Sequence, residues 1–95
     1  MTHEIKISST YASEHLRGVK DWELRKNDRD YKEGDFIIFT VVTERNNPTG
    51  MTYKRKITNV FLGGIYGLQD GFCILSITSS CCMSIVSKNK TMTSL

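Results

Sequence analysis

The sequence predicts a mainly β fold with one or two short helices, arranged as a small β-barrel of about five or six strands. Three observations lead to this prediction. Short apolar or alternating runs recur along the chain, as they do in β-strands. One early segment has the capping residues of a helix. The later runs are separated by Gly-containing turns, so that hairpins connect most strands, and closure into a barrel would remove their exposed edges.

The N-terminal part predicts a strand followed by the helix. Residues 3–7 (HEIKI) alternate in polarity and indicate the first strand. Residues 8–18 predict a helix that Ser8 or Ser9 caps and Gly18 ends. Tyr11, Leu16 and Val19 fall near one face of this helix. His15 lies beside them and is expected to be a half-buried packing residue.

The remaining strands follow from residue types and alternation. Residues 21–26 (DWELRK) place Trp22 and Leu24 on one side and Asp21, Glu23 and Arg25 on the other, and we expect Trp22 in the core. Residues 36–43 (FIIFTVVT) predict a central buried strand. A loop at 44–50, containing the only Pro, precedes strands at 51–63 and 72–78.

The chain is expected to form a single domain, since its length of 95 residues leaves no room for a second. The predicted elements occupy residues 3–78. Residues 79–95 lose the periodicity and are expected to be a partly disordered C-terminal extension, although residues 79–87 can also supply a short strand. The role of Cys81 and Cys82 in this extension is left open.

Composition and charge limit the function classes. The hydrophobic fraction of 39%, the charged fraction of 24% and the net charge of +3 are those of a globular domain that is only mildly basic. The N-terminus lacks an apolar secretory segment and no run could span a bilayer, so we expect a cytoplasmic protein without membrane contact. The cysteine spacing indicates no metal knuckle, and we expect neither a metal nor another cofactor.

Residues 18–25 (GVKDWELR) fit the pattern G-x-K-x-x-E-x-R, which resembles the signature of the ASCH domain family in the PUA-like superfamily. HEIKI, RKNDRDYKEGD and YGLQDGFCILSI flank it in order, and with it they resemble the small bacterial and phage proteins that carry the DUF3850 domain. The resemblance covers roughly residues 3–78. It implies a PUA-like β-barrel with a cleft beside the first helix, and this cleft is proposed in the family to bind RNA or a nucleotide-like ligand.

Lys20, Glu23 and Arg25 are the predicted centre of this cleft. Glu23 can accept hydrogen bonds from a base or a hydroxyl, while Arg25 can bind a phosphate or pair with Glu23 itself. Lys20 supplies a compact positive charge for an anion. Arg29 is a further candidate for phosphate contact. The alternative interpretation is that Glu23 and Arg25 form an ion pair that only holds the strand in place.

Five further residues are candidate auxiliary contacts to nucleic acid. Tyr31 can stack on a base or cover the barrel end. Residues 53–56 (YKRK) place Tyr53 and Arg55 on one strand face and Lys54 and Lys56 on the other, and such interleaving of aromatic and basic side chains occurs in strips that bind single-stranded nucleic acid. The alternative is an exposed strand that Lys protects from edge pairing. The auxiliary residues are Tyr31, Tyr53, Lys54, Arg55 and Lys56.

The predicted function is therefore a binding module for RNA or a nucleotide, rather than an enzyme. A small hydrolase of the amidohydrolase or ribonuclease type is the first alternative, with Lys20 and Glu23 as catalytic residues. The ASCH-like amidohydrolases implied by the resemblance have a Thr nucleophile where this chain has Glu23, which argues against the same reaction. A phage or mobile-element accessory protein that binds a host protein is the second alternative. The oligomeric state is left open.

Overall fold

The computed structural model describes residues 1–78, which form one helix and five strands in a single five-stranded sheet. The strands are β1 (Thr2–Ser8), β2 (Trp22–Lys26), β3 (Phe36–Val42), β4 (Pro48–Leu62) and β5 (Phe72–Ile77), and the helix α1 is Ser9–Leu16. The mainly β fold is therefore confirmed. The predicted extension at 79–95, including its optional strand, lies outside the described residues.

The sheet has the strand order β1-β3-β4-β5-β2. β1 is parallel to β3, and every other neighbouring pair is antiparallel. β3 lies between β1 and β4, as its apolar sequence predicts. β4 is long enough to join two halves of the sheet, because its first part pairs with β3 and the part from Ile57 pairs with β5. The loop predicted at 44–50 is shorter than expected, since β4 already begins at Pro48.

The predicted closed barrel is not confirmed, because the sheet remains open between its edge strands β1 and β2. Within residues 1–78, strand pairing does not join these two edges. Among the described residues, the guanidinium of Arg25 on β2 donates to the carbonyl of Lys6 on β1. β1 and β2 therefore border a shared cleft and are not joined by a ladder of backbone hydrogen bonds.

The helix begins and ends as its sequence predicts. The Ser8 hydroxyl accepts from the amide of Tyr11 at its start, and Gly18 has a φ of 77° just beyond its end, a conformation that glycine adopts at little cost. Its buried face consists of Ala12 and His15. Tyr11 and Leu16 are exposed, so the apolar side of the helix is not its packed side.

One face of the sheet carries the core and is called the inner face below. It includes Ile5, Ile37, Phe39, Ile57 and Leu75, all buried. At one end, Asp35 holds the connection that precedes β3 in place. Its carboxylate lies 2.8 Å from His3 Nε2 and 3.2 Å from both the terminal ammonium and the Lys32 amide. The hydrogen bond from His3 is the main cause that lowers the pKa of the Asp35 carboxyl.

The prediction that Trp22 lies in the core is wrong, because its side of β2 faces outwards. Trp22 is 45% exposed and Leu24 is 48% exposed, whereas Glu23 between them is only 5% exposed. The alternation along β2 was assigned correctly, but the polar side is the buried one. The reason is that specific partners, described next, satisfy Glu23 inside the protein.

Candidate functional site

The inner face of β2 is polar. Glu23 pairs with Leu75 and Arg25 pairs with Cys73 on the neighbouring strand β5. Leu75 and Cys73 are fully buried, and residues directly opposite each other in a ladder point to the same face. Glu23 and Arg25 therefore project from the face that carries the core, where the Glu23 side chain is 7% exposed and that of Arg25 is 27% exposed.

Glu23 is the centre of a compact set of charges. Its Oε2 lies 2.9 Å from Arg25 Nε, and its Oε1 lies 3.4 Å from Lys20 Nζ. His15 Nε2 is also 3.4 Å from Oε1. The side chains of Glu23 and Lys20 are 7% and 10% exposed, so this is a largely buried arrangement. The four residues His15, Lys20, Glu23 and Arg25 are called the Glu23 network.

His15 connects this network to β4. Its Nε2 lies 3.0 Å from the Trp22 carbonyl, and its Nδ1 lies 2.7 Å from the Tyr53 hydroxyl. Because a carbonyl only accepts, Nε2 carries the proton and Nδ1 accepts from Tyr53. Burial lowers the pKa of His15, which favours this neutral form. Burial, followed by the charge of Glu23, raises the pKa of Tyr53, so its hydroxyl stays protonated and donates.

Lys20 is held between two aromatic rings. Its Nζ lies 4.3 Å from the centre of the Tyr11 ring and 4.6 Å from that of the Trp22 ring, within the range of a cation–π interaction. This gives a physical reason for the exposed position of Trp22, which covers a cation instead of filling the core. The ammonium is thereby fixed beside Glu23.

The cleft between β1 and β2, called the β1–β2 cleft, has a volume of about 500 Å³. Its lining includes the basic residues Lys6, Arg25, Lys26 and Arg29 but only two acidic ones, Glu4 and Asp28, and is completed by Ile5, Tyr31 and Thr40. Four positive and two negative charges leave an excess of two positive charges, so the cleft attracts anions. A second hollow of about 430 Å³ shares Lys6, Arg25 and Lys26 with this cleft, and its lining also includes Glu23 and Tyr11.

The structure brings some of the predicted residues together and separates others. Lys20, Glu23 and Arg25 converge as described, but of these three only Arg25 lines the β1–β2 cleft, together with Arg29 and Tyr31. Tyr31 is 4% exposed overall and packs edge-on against His3, with ring centres 4.7 Å apart.

The basic segment of β4 is divided between the two faces of the sheet, as its alternation predicts. Lys54 and Lys56 are exposed and lie 4.5 and 6.0 Å from the ring of Phe36. Arg55 is buried, and Tyr53 stacks on Phe39 with ring centres 5.0 Å apart. Alternation along β4 therefore divides these four residues between the two faces of the sheet.

Sequence reasoning missed several residues of the site. His15 is fully buried and hydrogen-bonded through both ring nitrogens, whereas the sequence predicted a half-buried packing residue. The roles of Lys6 and Lys26 in the cleft were also missed. The polar alternation of Asp21, Glu23 and Arg25 was the available signal that β2 has a polar face, but nothing in the sequence indicated that this face is the buried one.

The family model described as "Domain of unknown function (DUF3850)" matches residues 2–77. It covers most of the chain, so this protein belongs to the DUF3850 family. No curated protein matches its sequence. Within residues 1–78, no helix is long and apolar enough to cross a membrane, and no three His, Cys, Asp or Glu side chains come together in a way that could hold a metal ion. The family description gives no activity, so the site is the guide to function.

Proposed function

We propose that this protein is a PUA-like binding module of the ASCH type, and that its ligand is an RNA strand or a nucleotide. The observation that carries the proposal is the charge of the β1–β2 cleft, where Arg25, Arg29 and two Lys residues outnumber two carboxylates. Phosphate groups are the anions for which Arg is best suited, because its guanidinium can donate two parallel hydrogen bonds. A cytoplasmic location fits such a ligand.

The positions of the ASCH-like pattern support the family assignment. Lys20, Glu23 and Arg25 are the charged residues of that pattern, and all three belong to the Glu23 network. The near approach of β1 and β2, bridged by Arg25, fits a barrel-like PUA domain with a cleft between its edges.

The contacts suggest separate roles for these residues. Arg25 and Arg29 bind phosphate, because both line the cleft. Glu23 accepts from Nε of Arg25 at 2.9 Å and the Lys6 carbonyl accepts from its Nη2, so Nη1 is the nitrogen for which the described residues offer no such partner and which would contact phosphate. Lys20 balances the second oxygen of Glu23. A volume of about 500 Å³ is that of a typical small-ligand pocket, which suits one nucleotide unit of a longer strand.

The test is fluorescence anisotropy with a labelled single-stranded RNA, repeated at several salt concentrations and with single-stranded DNA of the same sequence. Arg29→Ala should weaken RNA binding and reduce the slope of log K against log salt by about one unit, because one phosphate contact is lost. Arg45→Ala is the matched control, since Arg45 is an exposed arginine in the turn before β4. Equal affinities of the two variants would contradict the proposal.

The convergence on Glu23 also supports a second candidate, a small hydrolase acting on a modified nucleoside or RNA. Lys20 Nζ and His15 Nε2 both lie 3.4 Å from Glu23 Oε1, so groups able to donate and accept protons are adjacent. This candidate predicts turnover of acylated nucleosides or RNA that disappears in Lys20→Met. An absence of turnover by the wild-type protein across such a panel would exclude it.

A further inference from the structure

Arg55 is a buried arginine whose hydrogen bonding is incomplete. It is 5% exposed and lies opposite Ile37 of β3. Its Nη1 donates to the Lys54 carbonyl at 2.9 Å, but its Nε has no hydrogen-bond partner among residues 1–78. A guanidinium stays protonated inside proteins, so a positive charge and a directed donor are both left without a full set of partners.

No carboxylate compensates this charge in the part of the chain that the structure describes. The ion pairs among residues 1–78 involve Asp30, Asp35 and Glu23, and none of them includes Arg55. Its guanidinium carbon lies 4.8 Å from the centre of the Tyr53 ring. A ring face offsets only part of the cost of burying a charge.

Arg55 is connected through Tyr53 to the Glu23 network. The Tyr53 hydroxyl donates to His15, and His15 lies beside Glu23. This connected group holds the cations Lys20, Arg25 and Arg55 but only one carboxylate. Burial is the main reason why the pKa of His15 is lowered, and the charges of Lys20 and Arg55 act in the same direction. The inner face therefore has an excess of two positive charges here, while His15 is neutral.

We propose that Arg55 anchors a subsite for a compact oxyanion, such as a phosphate or carboxylate group, on the inner face of the sheet. Nε and the remaining guanidinium donors would bind the anion, and its charge would offset the excess of the connected group. Arg55 does not line the β1–β2 cleft, so the subsite is distinct from that cleft and stands even if RNA is not the ligand.

Arg55 lies at a change of pairing partner along β4. Among the described residues, Tyr53 to Arg55 pair with β3 alone, whereas Ile57 onwards pairs with β5. Arg55 therefore lies where β4 crosses between the two halves of the sheet, one residue before Lys56, whose amide and carbonyl both bond to Thr78.

The experiment is an NMR titration of the full-length ¹⁵N-labelled protein with sodium phosphate, with sodium chloride of equal ionic strength as the reference. The Nε–Hε signal of Arg55, identified by its loss in Arg55→Lys, should shift in a saturable manner. The corresponding signal of Arg45, an exposed arginine, should not. A response that is linear, or that is equal at Arg45, would overturn the proposal, as would no response at all.

Matched variants then test the role of the side chain. Arg55→Met should weaken phosphate binding about tenfold, as expected for the loss of a charge-assisted hydrogen bond, and the shifts of neighbouring amides report the affinity. Lys54→Met removes a charge from the adjacent, exposed position and should leave the affinity unchanged. If the two variants bind phosphate equally well, Arg55 is not the anchor. If Arg55→Met does not fold, the wild-type titration still decides the question.

A titration with adenosine monophosphate distinguishes a nucleotide from free phosphate as the source of the anion. If the protein binds adenosine monophosphate more tightly than phosphate, and Arg29→Ala removes this gain in affinity, the ligand is a nucleotide that spans the cleft and the subsite. Equal binding would identify free phosphate as the occupant, and either result supports the subsite. The two proposals can be tested separately, because Arg29→Ala tests the cleft and Arg55→Met tests the subsite. If Arg29→Ala abolishes RNA binding and Arg55→Met does not, RNA binding depends on the cleft and not on the subsite.

Discussion

Glu23 holds the polar interior of this protein together. Its two carboxylate oxygens contact Arg25, Lys20 and His15, and its side chain is only 7% exposed. A buried ion pair of this kind is not in itself a strong source of stability, since its partners lose their hydration. Removing one partner is nevertheless costly, because the remaining charges stay buried without compensation.

Glu23→Gln should therefore lower the free energy of unfolding by about 3 kcal/mol, since Lys20 and Arg25 would keep their charges without a carboxylate. Urea unfolding followed by circular dichroism measures the change. The matched control is Glu33→Gln at an exposed position, which should change stability by less than about 0.5 kcal/mol. Similar effects of the two substitutions would mean that the network is solvated and not structural.

The Asp35 carboxylate should account for part of the stability that the folded protein loses at low pH. The pKa of its carboxyl is lowered, chiefly by the hydrogen bond from His3, so the folded protein binds this proton less readily than the unfolded chain. The stabilisation is complete above the unfolded pKa of about 4 and is lost as the pH falls through the lower folded value.

The difference in melting temperature between wild type and Asp35→Asn should therefore be larger at about pH 5 than at about pH 3. Asp70→Asn is the control, since Asp70 is exposed and its variant should follow the wild-type curve. A difference that stays constant down to pH 3 would show that the carboxylate of Asp35 does not provide the stabilisation.

At the scale of the elements, the β4–β5 hairpin depends on a close backbone approach at Gly63. A Cβ at this position would lie 2.1 Å from the Gln69 carbonyl oxygen and 2.8 Å from that of Phe72. The Gly63 amide also donates to the Phe72 carbonyl at 2.8 Å. Since both obstacles are backbone atoms, a side chain cannot be accommodated by a rotamer change.

Gly63→Ala should destabilise the protein by about 3 kcal/mol, at the upper end of overpacking effects. Gly67→Ala in the same turn is the comparison. Gly67 has a φ of 81° but nothing within 4 Å of its added Cβ, so only the backbone strain of about 1 kcal/mol applies. Urea unfolding of both variants measures the difference, and an equal loss would contradict the close approach.

For the whole molecule, the order of the strands predicts the order in which they open. β3, β4 and β5 each have a hydrogen-bonded neighbour on both sides, whereas β1 and β2 are the edges. The Arg25 contact with Lys6 is the link between these edges. Edge strands with few partners are expected to open before the centre of the sheet.

Hydrogen exchange followed by mass spectrometry should show the slowest exchange in β3 and β5 and faster exchange in β2. Arg25→Met should accelerate exchange in β2 and in β1, because it removes the side chain that bridges them. Arg45→Met, which changes an exposed turn residue, should leave the pattern unchanged. Exchange in β2 as slow as in β5 would indicate that the sheet is effectively closed.

The sequence by itself determined the order of the elements and three of the four residues of the Glu23 network, but not His15. Ser8 and Gly18 marked the ends of the helix, and the apolar run of β3 indicated a central strand, because capping and alternation are local properties. The pattern formed by Lys20, Glu23 and Arg25 singled out residues that do converge in the structure.

Tertiary structure alone decided which face of β2 is buried and whether the sheet closes. Alternation defines two faces but not which of them packs inside, and hydrophobicity favoured Trp22 over Glu23. The choice depends on His15, Lys20 and Arg25, which reach Glu23 from other positions in the chain and satisfy it. The opening between β1 and β2, and with it the basic cleft, likewise depends on long-range pairing, which local sequence patterns do not specify.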